Sequence, residues 1–213
     1  MGDLTAKITN NQTLGDFNKD VFEKMEYTVC CSASETIHAS KIPVVVIEPH
    51  TDTCRLLYTN LAHYMTANNV AVVLVDHPHD SSIVEFSDSY FALNGGATGL
   101  SNYSPLTVRN STVTKAIDIR VHDIHMALEQ LKDPSILTCN FHNFKFTSGL
   151  NTSSYSVVGH GLGGTVATEL SISDPRVRLS INLSGSAPPL DHDIKGPIYF
   201  LGRSDFRREN DIN

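Results

Sequence analysis

The chain has 213 residues, of which 40% are hydrophobic, and it carries a formal net charge of −7 at pH 7. This length and composition suit one globular domain over residues 1–213. The acidic balance, without any stripe of lysines and arginines, argues against nucleic acid as a partner.

The N-terminal residues 1–35 form a poorly defined segment. Residues 1–16 are polar and lack the apolar stretch of a secretory signal, so the chain as written is expected in the cytoplasm, with its localisation left open. The four cysteines, at positions 30, 31, 54 and 139, lack the spacing of metal ligands. We therefore expect buried free thiols, no metal and no cofactor.

Apolar, strand-like runs then alternate with longer helical patterns, which is typical of βαβ units around a mostly parallel sheet. Apolar runs predict strands over 42–47, 70–75, 156–158, 177–183 and 197–201. Helical spacing predicts helices over 55–67, 112–132 and 163–171. Residues 87–110, rich in glycine, serine and asparagine, predict a loop insertion. No apolar run approaches the ~20 residues of a membrane-spanning helix, so no integral membrane segment is predicted.

The run YSVVGHGLGG, residues 155–164, has the pattern of a nucleophile elbow without its nucleophile. In the pattern G-x-S-x-G, a strand ends in a strained turn that exposes a serine hydroxyl, and the glycines allow close approach of neighbouring chain segments. Gly159 and Gly163 supply the flanking glycines, but the central residue is Gly161. A glycine tolerates the strained backbone and offers no atom that can attack an acyl carbon. The sequence therefore predicts the turn without the reaction.

Four segments resemble the fungal-type branch of the platelet-activating-factor acetylhydrolase family. They are residues 55–59 (RLLYT), 75–86 (VDHPHDSSIVEF), 120–123 (RVHD) and the elbow itself. The resemblance covers residues 42–202 and implies an α/β-hydrolase fold, with a mostly parallel central sheet and helices on both faces, incomplete at its C-terminal end. For intact members it implies calcium-independent removal of short acyl chains from phospholipids by a Ser-Asp-His triad. The implied partner is a phospholipid or a short-acyl ester.

The resemblance places the family's triad on residues that lack the expected chemistry. The nucleophile falls on Gly161, and the acid falls on Ser184, in a block that reads N-L-S-G where the family reads N-L-D-G. The family's histidine lies in a loop that would follow the last residues of this chain. His192 is the one histidine after the elbow and is the remaining candidate base. Whether the chain is an active enzyme is therefore left open.

Two backbone regions are expected to supply the oxyanion donors. One is the N–H of Leu162, directly after the elbow. The other is the turn at His50 and Thr51, where Asp52 would bring negative charge toward a developing oxyanion. The residues expected to line the oxyanion and substrate pocket are Leu162, His50, Thr51, His77 and His160.

Two charged groups of residues allow structural interpretations. Asp76, His77, His79 and Asp80 have the composition of a metal cluster, but the resemblance explains them as a turn that shapes the site, and we predict no metal there. On the long helix, Arg120 and Asp123 are spaced to form a local ion pair on a solvated face, worth about 0.2–0.5 kcal/mol.

Two functional hypotheses follow. The first is an acyl-ester hydrolase, in which Ser184 or Ser186 acts as a displaced nucleophile with His192 as its base. The second is a catalytically silent relative, either a protein that binds a lipid or protein partner or a truncated remnant. In a remnant, the strand at 197–201 would leave a sheet edge exposed, which allows association through that edge.

Overall fold

The computed structural model describes residues 20, 24, 36–85, 91–93, 111–141, 143–187, 194 and 196–202. By its internal contacts the chain divides into two compact units, Met1–Ser34 and Glu35–Asn213. The first unit contributes two described residues, Asp20 and Lys24. The elements below belong to the second unit, and the single domain over residues 1–213 stays a prediction.

Short strands and helices alternate along the described residues. The strands are β1 (Thr36–His38), β2 (Val44–Glu48), β3 (Ala71–Leu74), β4 (Ile83–Glu85), β5 (Phe91–Leu93), β6 (Lys145–Ser148), β7 (Tyr155–His160), β8 (Val177–Leu183) and β9 (Ile198–Leu201). The α-helices are α1 (Thr59–Thr66), α2 (Ser111–Gln130), α3 (Pro134–Asn140) and α4 (Leu162–Ser173). Single turns of 3₁₀-helix lie at Ala39–Lys41 and Arg55–Tyr58.

The central sheet is parallel, with the strand order β3-β2-β7-β8-β9. Its middle strand, β7, pairs with β2 on one side and with β8 on the other. Parallel neighbours need crossover connections, and α1 between β2 and β3 and α4 between β7 and β8 supply two of them. The carboxyl ends of β2 and β7 therefore meet at one edge of the sheet, where ligands bind in open α/β folds.

The core lies between this sheet and helices α2 and α4. Val46 of β2 and Val157 of β7 are fully buried, as are apolar residues of both helices. On α2 the buried stripe follows helical spacing by three, four and seven residues. Its members are Val113, Ile117, Arg120, Ile124 and Leu128. Each fully buried aliphatic side chain stabilises the fold by about 1.5–3 kcal/mol relative to an exposed one.

The predicted mostly parallel sheet is confirmed, and the long periodic elements lie close to their predicted bounds. The strand predicted at 177–183 is β8, and the helix predicted at 112–132 is α2. The helix predicted at 55–67 begins instead as the 3₁₀ turn Arg55–Tyr58 and becomes α-helical from Thr59. Sequence patterns missed α3 and the short strands β1, β4, β5 and β6. The strands have three or four residues, too few to establish a period, and α3 has seven residues, about two helical turns.

Several smaller predictions have mixed outcomes. Strand β5 lies inside the region 87–110 that was predicted as a loop insertion, and the rest of that region lies outside the described residues. Cys54 is buried, as predicted, whereas Cys139 is exposed. Among the described residues, no helix is long and apolar enough to cross a membrane.

Candidate active site

The site is built on the turn between β7 and α4. Gly161 has φ +56° and ψ −121°, a backbone conformation that L side chains rarely adopt. Its N–H donates to the carbonyl of Leu183 at 2.8 Å, and its carbonyl accepts from the N–H groups of Gly164 at 2.9 Å and Thr165 at 3.2 Å. The strand, the strained residue and the helix thus follow one another as in a nucleophile elbow, with a hydrogen atom in place of the side chain.

The flanking glycines allow the close packing that this turn needs. A Cβ at Gly159 would overlap the backbone of Gly163. A Cβ at Gly163 would lie 2.5 Å from the carbonyl oxygen of Pro49 and 2.7 Å from the carbonyl carbon of Glu48. Helix α4 therefore begins in backbone contact with the end of β2, which brings the turn after β2 against the elbow.

We expect Gly163→Ala to lower the free energy of unfolding by about 1–3 kcal/mol, because the added methyl group would overlap backbone atoms that cannot rotate away. Chemical denaturation of the two proteins measures the difference. Gly202→Ala is the matched control, since a Cβ there meets nothing within 4 Å. Equal effects of the two substitutions would contradict the packing described here.

His50, in the turn after β2, occupies the space beside Gly161. A Cβ at position 161 would overlap Nδ1 of His50, and would lie 2.7 Å from its Cγ and 2.8 Å from its Cε1. The same Nδ1 lies 3.4 Å from the backbone nitrogen of Leu162, as a long hydrogen-bond acceptor. The predicted oxyanion donor therefore faces an imidazole of the chain itself.

Tyr58 and His160 hold His50 from the other side. The N–H of His50 donates to the Tyr58 hydroxyl oxygen at 3.0 Å, and this oxygen lies 2.9 Å from Nδ1 of His160. The rings of His50 and His160 meet edge to face, with centroids 5.3 Å apart. Burial lowers the pKa of His50, and His160 and Arg120 lower it further, which favours the neutral ring that can accept a hydrogen bond.

A buried charge network, made of Glu48, His77, Asp80, Arg120 and Asp123, lies beneath the same turn. Arg120 Nη1 lies 2.7 Å from Glu48 Oε1, and Arg120 Nε lies 2.6 Å from Asp80 Oδ2. His77 connects Glu48 to the third carboxylate, with Nε2 2.9 Å from Glu48 Oε1 and Nδ1 2.7 Å from Asp123 Oδ2. The side chains of Glu48, His77 and Arg120 are at most 1% exposed.

The network changes two predictions made from the sequence. The local pair of Arg120 with Asp123 on a solvated face is wrong, because Arg120 is buried against Glu48 and Asp80 while Asp123 bonds His77. Buried carboxylates compete strongly for a guanidinium, since each would otherwise be an uncompensated charge. His77, predicted to line the pocket, is a buried member of this network.

The pKa values follow from these contacts. Burial alone would lower the pKa of His77, but Glu48 and Asp123 outweigh it and raise the pKa to about 9. Burial likewise opposes ionisation of Asp80, yet the Arg120 guanidinium holds the pKa of that carboxyl below its usual value. The imidazolium and the guanidinium are thus both charged at neutral pH, and they offset the carboxylates around them.

The network fixes the turn that carries His50. Arg120 Nη1 donates to the carbonyl oxygen of Pro49 at 2.7 Å. The hydroxyl of Thr51, 2% exposed, donates to Asp80 Oδ1 at 2.6 Å, and the N–H of Asp52 donates to the Asp80 carbonyl at 3.0 Å. Thr51 therefore contacts the charge network through its hydroxyl.

Ser184, predicted from the sequence at the position of the triad acid, directly follows β8 beside the elbow. It has φ +59°, and its N–H donates to the carbonyl of Leu201 at 2.9 Å. A Cβ at the next residue, Gly185, would lie 2.6 Å from the nitrogen of Thr165 in the first turn of α4. Ser186 is buried, and His192 lies outside the described residues.

Three of the four residues that have the composition of a metal cluster, Asp76, His77 and Asp80, form ion pairs. Asp76 accepts from both the backbone N–H and the guanidinium of Arg55, and His77 and Asp80 belong to the charge network. In the part of the chain that the structure describes, no group of three or more His, Cys, Asp or Glu side chains could hold a metal ion.

The family follows from comparison with known proteins. A family model described as platelet-activating factor acetylhydrolase, isoform II, matches residues 8–213. The chain belongs to this acetylhydrolase family. The resemblance predicted from the sequence is thereby confirmed.

One curated relative and one solved structure are similar to this acetylhydrolase-family chain. A curated protein from Arthroderma benhamiae, named probable 1-alkyl-2-acetylglycerophosphocholine esterase, is 29% identical over 147 residues, which are 68% of this chain and 31% of that protein. A solved ferulic acid esterase from Streptomyces cinnamoneus superposes with a TM-score of 0.60 and 22% identity, over 78% of this chain and 45% of the other. At this identity the likeness concerns the fold, and it confirms the predicted α/β-hydrolase fold. The chain covers less than half of either protein.

Sequence reasoning about the acetylhydrolase-family site missed Glu48, Tyr58 and Arg120. A signal existed for two of them. Glu48 is a lone acidic residue that ends an otherwise apolar strand, and Arg120 stands on the apolar stripe of α2. A charge at a position whose periodicity demands burial indicates a buried partner of opposite sign. No comparable signal in the sequence marks Tyr58.

Proposed function

We propose that this chain is a hydrolytically silent member of the acetylhydrolase family, whose elbow no longer carries out acyl transfer. One observation carries the proposal: Gly161 keeps the strained elbow backbone, has no side chain, and has the imidazole of His50 against the place where a side chain would begin. Loss of the nucleophile alone would leave an open elbow. Here the space is also filled.

The groups that remain at the elbow support only slow ester hydrolysis. Without a nucleophile, catalysis by binding and oxyanion donors amounts to ~10³–10⁴ over water in a well-studied protease. In this chain the donor N–H of Leu162 faces Nδ1 of His50. An ester carbonyl would first have to displace that ring, so even the residual rate should fall.

The substrate class of the family remains the best candidate for a bound ligand. We infer a phospholipid or short-acyl ester, since the Arthroderma relative is named for a phospholipid ester. The 3₁₀ turn that places Tyr58 at the elbow also exposes Leu56 and Leu57, which are 46% and 65% exposed. Exposed leucines beside a site suit an apolar ligand.

An active hydrolase with a displaced nucleophile is the second candidate. It is favoured by the position of Ser184, whose φ of +59° marks a strained residue next to the elbow. In this alternative Ser184 or Ser186 would attack the ester, with His192 as the base.

Turnover of a short-acyl ester tests the proposal directly. We expect hydrolysis of p-nitrophenyl acetate and of an acetylated phospholipid analogue by the purified chain to equal the buffer blank. Variants Ser184→Ala and Ser186→Ala, with the exposed Ser173→Ala as the matched control, are measured in the same assay. Turnover that Ser184→Ala or Ser186→Ala abolishes would replace the proposal by the second candidate. Turnover lost in a His50→Ala variant would show instead that His50 takes part in catalysis, which would also contradict the proposal.

A further inference from the structure

We propose that His50 and Gly161 form a coupled pair, in which the imidazole of His50 replaces the missing side chain, caps the N–H of Leu162 and closes the elbow from within. This inference deepens the proposed function and rests on it. In this proposal the position of the His50 ring decides whether the elbow is open, whichever triad residues remain.

The ring of His50 fills the space that a side chain at position 161 would need. Three ring atoms of His50 lie closer than 3.0 Å to the Cβ position of residue 161, a separation that real Cβ atoms essentially never show. A serine or alanine at 161 therefore requires His50 to move. Conversely, a glycine at 161 is what allows the ring to lie there. The observed position of the ring is therefore compatible with glycine at 161 and with no residue that carries a Cβ.

The ring of His50 also contacts the N-terminus of α4. The N–H of Leu162 begins α4 and would be an unsatisfied donor in a closed site. Nδ1 of His50 lies 3.4 Å from that nitrogen and can accept when the proton is on Nε2. The lowered pKa of His50 keeps the ring neutral and available as an acceptor. The imidazole thus replaces the substrate oxygen as well as the side chain.

The backbone of His50 is fixed while its ring is half-buried. The carbonyl oxygen of His50 accepts from the Thr53 hydroxyl at 2.5 Å, and its N–H donates to Tyr58 at 3.0 Å. Arg120 holds the preceding carbonyl, that of Pro49. Since both sides of the residue are fixed, the elbow opens by rotation of the side chain of His50. A nucleophile restored at 161 would be obstructed until that rotation occurs.

A double-mutant cycle tests the coupling. The cycle compares Gly161→Ala and Gly161→Ser in the wild-type and His50→Ala backgrounds, with the urea midpoint of unfolding as the readout. Backbone strain at φ +56° lowers the midpoint in both backgrounds and cancels in the cycle. We expect the midpoint decrease caused by either substitution to be smaller when His50 is alanine. Gly202→Ala is the control, with the same effect in both backgrounds.

Equal midpoint decreases in the wild-type and His50→Ala backgrounds would overturn the proposed coupling of His50 with Gly161. Should the position 161 variants not fold, the ¹⁵N–¹H signal of Leu162 decides. His50→Ala should shift this amide signal beyond any change caused by His63→Ala, an exposed control. An unshifted Leu162 signal would also overturn the proposal. These readouts differ from ester turnover, so an active wild-type enzyme would refute the proposed function while leaving the coupling to be judged by itself.

Discussion

We expect Arg120→Met to lower the free energy of unfolding by about 3–5 kcal/mol, the range observed when one partner of a buried ion pair is removed. Methionine retains most of the volume, so the loss comes from the two carboxylates. Asp80 would lose its guanidinium, and Glu48 would stay buried with His77 as its remaining cation. Urea denaturation monitored by circular dichroism gives the difference.

Two further proteins make the Arg120 experiment specific. Lys132→Met removes a cation whose partner, Glu129, is exposed, and should leave the unfolding midpoint unchanged. Adding Glu48→Gln to Arg120→Met removes one of the buried charges that Arg120 had offset and should recover part of the lost stability. If Arg120→Met behaved like Lys132→Met, the charge network would not contribute as described.

The second large effect is a loss of stability as the pH rises from 6.5 to about 9. The pKa of His77 is raised from 6.5 to about 9 in the folded chain. A raised pKa contributes stability that is complete below the unfolded value and lost as the pH rises through the folded value. A shift of this size corresponds to about 3 kcal/mol.

The free energy of unfolding at a series of pH values measures this contribution. His77→Gln should lower stability below pH 6.5 and flatten the decline between 6.5 and about 9. The exposed His63→Gln serves as the matched control, with the wild-type slope retained. Asp123→Asn, which removes one of the two carboxylates that hold His77, should shift the decline to lower pH. A decline of unchanged size in His77→Gln would assign the pH dependence to other groups.

The elbow was predictable because its determinants are local. Glycines at alternate positions, directly after an apolar strand, specify the turn, and the backbone of Gly161 has the strained conformation that the pattern requires. The occupant of the elbow was not predictable in this way. His50 and Leu162 are 112 residues apart, and only the pairing of β2 with β7 brings them together.

The error at Arg120 has a related cause. Its spacing to Asp123 fits a local helix pair, which is worth only about 0.2–0.5 kcal/mol. Two buried carboxylates from other elements, Glu48 and Asp80, outweigh so weak a local preference. The apolar stripe that contains Arg120 was the better guide, since periodicity reports the burial of a position even when the residue there is charged.

The charge network also has a consequence for how the described unit assembles. Arg120 is 72 residues from Glu48 and 40 from Asp80, so its contacts join three distant parts of the chain. A partly folded intermediate that buried β2 without α2 would leave Glu48 desolvated without the Arg120 guanidinium, at a cost of several kcal/mol. Such intermediates are disfavoured relative to both end states. The buried ions therefore favour all-or-none folding, in which the elbow forms together with the rest of the core or not at all.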